Sequence, residues 1–294
     1  MIQIDPENKF SPLPKYLESY RDKITNFGLY FQKFAKYQQK SGLELVTQHN
    51  WDNGKKKKDK KTFEWSLISN QFDQYKKYFS AATLVKKHKN QQKNLSAFSE
   101  LGVKTVELSS VTGTRFLTGI GETTPTEVGM VFDRNSGLPY IPASSVKGAV
   151  RYAYCVNFAR KYPRKNGEFV DEKDVNGLIA LFGSLDTKNS TRGGFAFMDV
   201  YSKKPPEIAI DIMNPHYGKY YNGESNDGPV ETEKPVPIKF LAVEKGTEFK
   251  FCGFFLSKEA ESYWVQLKEA FFTALTELGI GAKTAVGYGR FKVL

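Results

Sequence analysis

The amino-acid sequence predicts an α+β fold, and the order of its apolar patterns is the main reason. From residue 103 onward the patterns run strand, helix, several strands, helix, strand. This order matches a ferredoxin-like (RRM-like) split βαβ core with insertions. Amphipathic spacing before it predicts a separate helical unit. We therefore expect a helical, basic N-terminal extension over 1–100 and a ferredoxin-like domain over 101–294.

Two amphipathic helices are predicted in the first hundred residues, over 13–40 and 65–88. The apolar residues recur every three to four positions, which places them on one face of each helix. In the first helix they are Leu17, Tyr20, Ile24, Phe27, Phe31 and Phe34, and in the second Trp65, Ile68, Phe72, Tyr75, Phe79 and Ala82. We expect these aromatic stripes to form a core and not to stack on bases.

Positive charge is concentrated in the same hundred residues. They carry 19 Lys and Arg against 10 Asp and Glu, which leaves +9 of the chain's net charge of +11. Much of the excess is the run Lys55–Lys61, between the two predicted helices. Such a run predicts a solvated loop, and contact with nucleic acid or an acidic partner stays open as an alternative.

Strands are predicted where β-branched and aromatic residues alternate, at 103–112, 195–201, 208–212, 238–243 and 248–256. A basic, aromatic strand then ends the chain. Helices are predicted at 144–162 and 258–278. The segment 244–247, Glu-Lys-Gly-Thr, predicts a hairpin turn between the two strands on either side of it.

Composition excludes several classes of protein. A net charge of +11 and a pI near 9.3 point to polyanionic partners. Two cysteines, Cys155 and Cys252, cannot form a disulfide framework, and neither lies near another thiol or imidazole, so we expect no zinc site. No apolar run reaches the length of a membrane span, and no signal peptide is visible, so we expect a cytoplasmic protein.

The segment 279–290 carries the most informative pattern. Two Gly-x-Gly pairs, Gly279/Gly281 and Gly287/Gly289, flank Lys283. Glycine adopts positive φ and lets another backbone approach closely, so a lysine between two such pairs suits a phosphate backbone. The pattern follows a helix and precedes a strand, the reverse of the dinucleotide fingerprint. A helix cap followed by a turn stays open as the simpler explanation.

A second basic segment, 138–151, begins a predicted helix. Ser144 or Ser145 is placed to cap it, and Lys147 and Arg151 are four residues apart and share a side. Because helix N-termini attract phosphate, the sequence predicts a phosphate cradle here. The alternative is a capped helix with a solvated basic edge.

A long loop after the first strand of the core adds Arg115, Gly119 and Gly121, where the glycines permit close backbone contact. Tyr288, beside the second glycine pair, is a candidate for stacking on a base. An ordinary glycine turn explains this loop equally well.

These segments together resemble the RAMP superfamily of CRISPR-associated proteins. Residues 138–151 are similar to its first-helix motif, and 279–291 to its C-terminal glycine-rich loop. The stretches 116–125 and 211–217 narrow the resemblance to the sixth-subunit family of the type III-B Cmr effector complex, which targets RNA. The resemblance covers roughly 103–294.

The resemblance implies a subunit that binds guide RNA (crRNA), caps the filament of backbone subunits near the crRNA 3′ end and serves antiviral defence. Its implied partners are crRNA and the backbone and small Cmr subunits, with target RNA as a further candidate. No cofactor, metal or membrane is implied. By motif position, the implied guide-RNA contacts are Ser144, Ser145, Lys147, Arg151, Gly281, Lys283, Gly287 and Arg290. Ala143 departs from the pattern, since many relatives have glycine there.

Catalytic residues are not expected. Glu127 falls near the place of the cleaving aspartate of backbone subunits but is flanked differently, and Asp133 begins a predicted turn over 133–137. His216, with Lys219, Tyr220 and Tyr221 nearby, is the best lone candidate. Two alternatives stay open: a metal-independent endoribonuclease that processes guide RNA, and a protein-interaction scaffold whose charge serves only solubility.

Overall fold

The computed structural model describes residues 9–10, 26–34, 37–38, 62–63, 81–122, 128–158, 172–184, 190–214, 220, 223, 228 and 237–294. The chain forms two compact units. The smaller gathers 1–79, 120–138 and 208–242, and the larger gathers 80–119, 139–207 and 243–294. Each unit therefore draws on several stretches of the chain. A domain boundary after residue 100 stays a prediction.

The described strands are β1 (Lys9–Phe10), β2 (Tyr37–Gln38), β3 (Thr62–Phe63), β4 (Thr105–Thr112), β5 (Phe195–Phe197), β6 (Tyr201–Ser202), β7 (Ile208–Met213), β8 (Ile238–Val243), β9 (Glu248–Phe255) and β10 (Phe291–Val293). The described α-helices are α1 (Phe27–Leu29), α2 (Ala81–Glu100), α3 (Ala143–Phe158), α4 (Glu172–Phe182), α5 (Lys258–Ser262) and α6 (Trp264–Thr273). A π-helical turn extends α1 over Tyr30–Phe34 and α6 over Ala274–Leu278.

The larger unit is built on an antiparallel sheet of five strands. Its order is β10-β4-β9-β5, and β6 also pairs with β9. The last strand therefore lies beside the first strand of the core, with Phe291 opposite Thr112. The mixed helix and antiparallel sheet confirm the predicted α+β class.

One face of the sheet forms the main core of this unit. Phe249 and Phe251 of β9 pack edge-on against Phe291 of β10, with ring centroids 6.0 and 5.8 Å away. Farther along the same face, Phe255 meets Trp264 of α6 at 6.1 Å. Helix α3 packs on α6 and α4, so the helices cover this face.

The opposite face of the sheet is covered by helix α2. Successive residues of a strand point to opposite faces, so Phe254 faces away from Phe255. Phe254 stacks on Phe98 of α2 with ring centroids 4.0 Å apart. On the same side, Lys250 forms an ion pair with Glu107 and donates a hydrogen bond to Gln92 of α2 at 3.1 Å. Around these contacts, both faces of the sheet are packed against helices.

The smaller unit holds the sheet β1-β2-β3 and the pair β7-β8. Its core is aromatic. Phe27, Tyr30 and Phe31 are almost completely buried, and Phe27 and Phe31 both contact Phe132, at 5.5 and 5.9 Å between centroids. The predicted core role of Phe27 and Phe31 is confirmed.

Most predicted elements from residue 103 onward are confirmed. The strands β4, β7, β8, β9 and β10 and the helix at 258–278 appear with small shifts at their ends. The helix predicted at 144–162 is present from Ala143 to Phe158, and residues 159–162 lie outside the described residues. The segment 195–201 splits into β5 and β6. Helix α4 has no counterpart in the prediction.

The N-terminal helix predictions are wrong in their bounds. The predicted helix over 13–40 is helical from Phe27 to Phe34, but 37–38 forms β2, because strand pairing on both sides overrides a local helical pattern. Residues 13–25 and 65–80 lie outside the described residues. The second helix continues well past residue 88, to Glu100. The later part of this helix is so polar that apolar residues no longer recur every three to four positions, although Leu95 is buried.

The predicted hairpin is also wrong. A turn is present at 244–247, where Gly246 has a φ of 84° and Thr247 Oγ1 donates to the Glu244 carbonyl at 2.9 Å. However, β8 before the turn pairs with β7, and β9 after it pairs with β4, β5 and β6. Local turn chemistry was correct, while the strand partners depend on residues far away in sequence.

Both cysteines are buried and unpaired, and burial raises the pKa of Cys252 to about 11. Among the residues that the structure describes, no cluster of three or more His, Cys, Asp or Glu could hold a metal ion. Within the same ranges, none of the helices has the length and apolarity needed to span a bilayer.

Candidate nucleic-acid interface

The glycine loop, defined here as 279–289, connects the end of the π-helical turn after α6 to β10. All four of its glycines have positive φ, at 83° for Gly279, 98° for Gly281, 98° for Gly287 and 71° for Gly289. Positive φ is strained for other residues, so the sequence of the loop is set by its backbone path. The predicted loop is therefore confirmed, and its backbone adopts a conformation that requires positive φ at all four glycines.

The loop is seated on the segment that follows β4. The amide of Ala282 donates to the Leu117 carbonyl at 2.8 Å, and the amide of Gly289 donates to the Arg115 carbonyl at 2.9 Å. A third bond, from Ile280 N to Gly289 O at 2.9 Å, closes the loop on itself. These bonds fix both ends of the loop to the protein.

Its glycines serve two different purposes. A Cβ on Gly281 would lie 2.3 Å from the Leu117 carbonyl oxygen, and one on Gly289 would lie 2.0 Å from the Ile280 carbonyl oxygen. These two glycines are therefore required by packing within the protein. A Cβ on Gly287 would meet no atom within 4 Å. Of these three positions, only 287 requires glycine solely because of its positive φ. Gly287 is also exposed.

Lys283 stands at the outer part of the loop with φ 58° and ψ 31°, which is the left-handed region. Within the described ranges it is the single non-glycine residue with positive φ. Its carbonyl accepts from the amides of Val286 and Tyr288, each at 3.2 Å. Left-handed backbone costs an ordinary residue about 1–2 kcal/mol. Such strain is often found at binding sites.

Helix α3 is capped by a residue that sequence reasoning missed. The helix begins at Ala143, whose amide donates to Asp199 Oδ1 at 2.8 Å. Ser144 and Ser145 therefore lie inside the first turn, and the prediction that one of them caps the helix is wrong. Ser144 is exposed. Because Asp199 is 56 residues away in sequence, no local signal could have revealed it.

The basic residues of α3 and the loop end have unpaired donor groups. Within the described residues, no carboxylate forms an ion pair with Lys147, Arg151 or Arg290. Arg151 Nε and Arg290 Nη1 are buried without a hydrogen-bond partner there. A buried guanidinium N–H without an acceptor is costly, so each of these two guanidinium groups has an unmet hydrogen bond.

Strand register relates the start of α3 to the glycine loop. Ile141, just before α3, bridges Val200, next to β6, and β6 pairs with β9 at the level of Ser109 on β4. The loop joins β10 opposite Thr112, three residues farther along β4. That is about 10 Å along the strand and about 14 Å across three strand spacings. By this register the two elements are about 17 Å apart.

Arg115 is already engaged within the protein. Its Nε and Nη2 donate to Glu244 Oε1 at 3.0 and 2.6 Å. The hydrogen bond from Arg115 holds the pKa of the Glu244 carboxyl below its ordinary value. Glu244 was missed by sequence reasoning, since the two residues are 129 positions apart.

The remaining predicted residues are Gly119, Gly121 and Tyr288, and their positions give little indication of a binding role. Gly119 has a φ of 73°, and Gly121 is exposed in a turn that belongs to the smaller unit. Tyr288 is half-buried, and its backbone amide contacts Lys283.

One of the three catalytic candidates is described. Asp133 Oδ1 accepts from the amides of Asn135 and Ser136 at 3.1 and 2.8 Å, which confirms the predicted turn. Glu127 and His216 lie outside the described residues.

Comparisons with known proteins place this geometry in context. The sequence matches the RAMP superfamily over residues 111–292. It is 28% identical over 228 aligned residues to the CRISPR system Cmr subunit Cmr6 of Pyrococcus furiosus, covering 61% of this chain and 65% of the relative. It is 26% identical over 193 residues to the corresponding subunit of Saccharolobus solfataricus, covering 64% and 57%. The chain thus spans less than two thirds of either relative.

A structural likeness supports the same fold. A chain in the cryo-EM structure of a type III-B Cmr-beta complex bound to cognate target RNA superimposes with a TM-score of 0.52 and 23% identity. The match covers 71% of this chain and 64% of that one.

Proposed function

Because this chain belongs to the RAMP superfamily, we propose that it is a guide-RNA-binding subunit of a type III-B Cmr effector complex. Two relatives of the matched region are named as Cmr subunits. The net charge of +11 agrees with a polyanionic partner. In this proposal the chain contacts the phosphate backbone of crRNA and assembles with the other Cmr subunits.

The observation that carries the proposal is the conformation of the glycine loop. The loop is bonded to the protein at both ends, and it holds Lys283 in a strained backbone conformation between them. A cation on a fixed loop loses little freedom when it meets a phosphate, so binding is favoured. Gly287, exposed beside it, leaves room for a ribose or phosphate.

We infer a split βαβ arrangement for the larger unit. The strand order β10-β4-β9-β5, with α3 after β4 and α6 after β9, supports it. Open sheets of this kind often present one face to RNA. Here α2 packs on that face through Phe98. The RNA would therefore contact the start of α3 and the glycine loop instead of that face.

The finer roles follow from the resemblance. The subunit would cap the filament of backbone subunits near the crRNA 3′ end and would contribute no catalytic residue. Incubation of the protein with precursor guide RNA tests the second point. Cleavage without metal that is abolished by His216→Ala would contradict it and would favour the endoribonuclease alternative.

A salt titration of guide-RNA binding by the reconstituted complex tests the binding role. Each lost contact to single-stranded phosphate should reduce the slope of log K against log salt by about 0.7. The Lys147→Ala/Lys283→Ala double variant should therefore reduce it by about 1.4.

The matched control is Lys86→Ala/Lys268→Ala. Both lysines are exposed, on α2 and α6, and the net-charge change is the same. Its slope should stay at the wild-type value. An unchanged slope in the Lys147/Lys283 variant, or equal losses in both double variants, would refute the proposed contacts.

A further inference from the structure

Arg115 connects two parts of the larger unit. Its guanidinium donates twice to Glu244 Oε1, while its backbone carbonyl receives the amide of Gly289 at 2.9 Å. The side chain is thus bonded to the turn at 244–247, and the backbone to the glycine loop. Arg115, whose backbone carbonyl accepts the Gly289 amide, is therefore also held through its side chain by the ion pair with Glu244.

The turn that carries Glu244 is itself fixed to the end of β4. Gly246 N donates to the Thr112 carbonyl at 2.8 Å, and Thr112 Oγ1 donates to the Glu244 carbonyl at 3.1 Å. The neighbouring pair Phe116 and Val243 exchange two backbone hydrogen bonds, at 2.9 and 2.7 Å. The backbone of Glu244 is therefore held in place independently of the Arg115 side chain, and the Lys245 amide also donates to Glu244 Oε2 at 3.2 Å.

We propose that Arg115 and Glu244 form a brace that positions the glycine loop, so that Arg115 acts on RNA through the loop and does not touch a phosphate. This inference rests on the proposed RNA-binding function of the loop. The two side chains are 38% and 27% exposed, so the ion pair adds little to global stability. Its effect is local: it fixes the orientation of residue 115, whose carbonyl seats Gly289.

The brace and a direct phosphate contact predict opposite results for Glu244→Gln. If Arg115 contacted phosphate, the Glu244 carboxylate would compete with it, and neutralising Glu244 would strengthen RNA binding. If the pair is a brace, the same substitution loosens the loop and weakens binding, although a negative charge has been removed. Salt dependence separates the two explanations further. If Arg115 contacts phosphate, Arg115→Gln should reduce the slope of log K against log salt by about 0.7, and if Arg115 is a brace the slope should not change.

Hydrogen exchange on the RNA-free full-length chain tests the brace without RNA. We expect Glu244→Gln and Arg115→Gln to speed exchange across 280–289 by about 3–10-fold, as local opening becomes easier. Exchange in β4 and β9 should not change, which also verifies that the variants are folded. The charge swap Arg115→Glu/Glu244→Arg keeps the net charge and should return exchange toward the wild-type rate.

Glu248→Gln is the matched control. Glu248 forms an ion pair of similar exposure with Lys203 at the start of β9. Its loss should leave both loop exchange and RNA binding unchanged.

In the reconstituted complex, we expect Glu244→Gln to weaken guide-RNA binding about 3–10-fold, and the charge swap to recover it. Unchanged loop exchange, or tighter RNA binding by Glu244→Gln, would overturn the brace. If the wild-type complex bound RNA without any salt dependence, the proposed function would fail, while the exchange result would still decide whether the brace exists.

Discussion

The glycine loop and the first turn of α3 belong to the same unit, but they are built differently. The loop is held by backbone hydrogen bonds, and its lysine takes a conformation normally left to glycine. The first turn of α3 is an ordinary helix start, and the carboxylate of Asp199 occupies the Ala143 amide. If RNA binds as proposed, a phosphate would meet Lys283 at the loop and the carboxylate of Asp199 at the helix start.

This difference changes the weight of the two predicted contacts. Free amides and the helix dipole attract anions at a helix start, and Asp199 already satisfies part of that attraction. If α3 contacts phosphate, we therefore expect the lysine and arginine farther along the helix to contribute most of its affinity. In the loop, Lys283 is half-buried and Gly287 is exposed, while Gly281 and Gly289 are required by packing within the protein.

The largest expected effect is the difference in stability loss between Gly289, which is packed against the protein, and Gly287, which has open space around it. Gly289→Ala places a methyl group 2.0 Å from the Ile280 carbonyl oxygen at a φ of 71°, so we expect a loss of about 3 kcal/mol in the free energy of unfolding. Gly287→Ala has open space and only backbone strain, so about 1 kcal/mol is expected. Urea denaturation measures both, and equal losses would show that the two glycines do not differ.

Lys283→Gly should separate stability from binding. Removing left-handed strain of about 1–2 kcal/mol is partly offset by the chain entropy of glycine, which leaves a gain of about 0.5 kcal/mol. Guide-RNA affinity should fall about tenfold, because one charged contact is lost. Thermal unfolding and filter binding measure the two quantities.

The control for this variant is Lys283→Asn, since asparagine tolerates left-handed backbone but carries no charge. It should leave stability near the wild-type value and weaken RNA binding as much as glycine does. A weaker loss with asparagine would indicate that loop rigidity, and not charge, governs affinity.

Asp199→Asn probes the helix start. The amide oxygen keeps an acceptor for the Ala143 amide, while the negative charge disappears. If phosphate approaches the first turn of α3, RNA affinity should rise by about twofold to fivefold, which corresponds to about 0.3–1 kcal/mol. Binding measured at low salt would show the increase most clearly, and no change would remove the helix start from the interface.

The smallest expected effect is the pH dependence of the brace. Arg115 lowers the pKa of Glu244 in the folded protein, so the pair contributes stability above the unfolded pKa of about 4.3. That contribution is lost as pH falls through the lower folded pKa. The stability difference between wild type and Glu244→Gln should be constant near neutrality and shrink at acidic pH. Urea titrations at several pH values measure it, and a difference that grows on acidification would contradict the assignment.

Local pattern was enough for much of the larger unit. The alternation in 248–256 and the helical spacing in 144–162 predicted β9 and α3, because each pattern reflects burial on one side of its own element. The same reasoning failed at 37–38 and at 244–247. There, strand pairing with distant segments decides the conformation, and local spacing holds no record of the partner.

The sequence by itself determined the α+β class, the glycine loop and the basic residues of α3. It did so because glycine angles, apolar periods and charge are properties of neighbouring residues. Only the tertiary structure decided that Arg115 pairs with Glu244, that Asp199 caps α3 and that α2 covers the open face of the sheet. Those contacts join residues 56 or more positions apart, and the folded chain alone brings them within bonding distance.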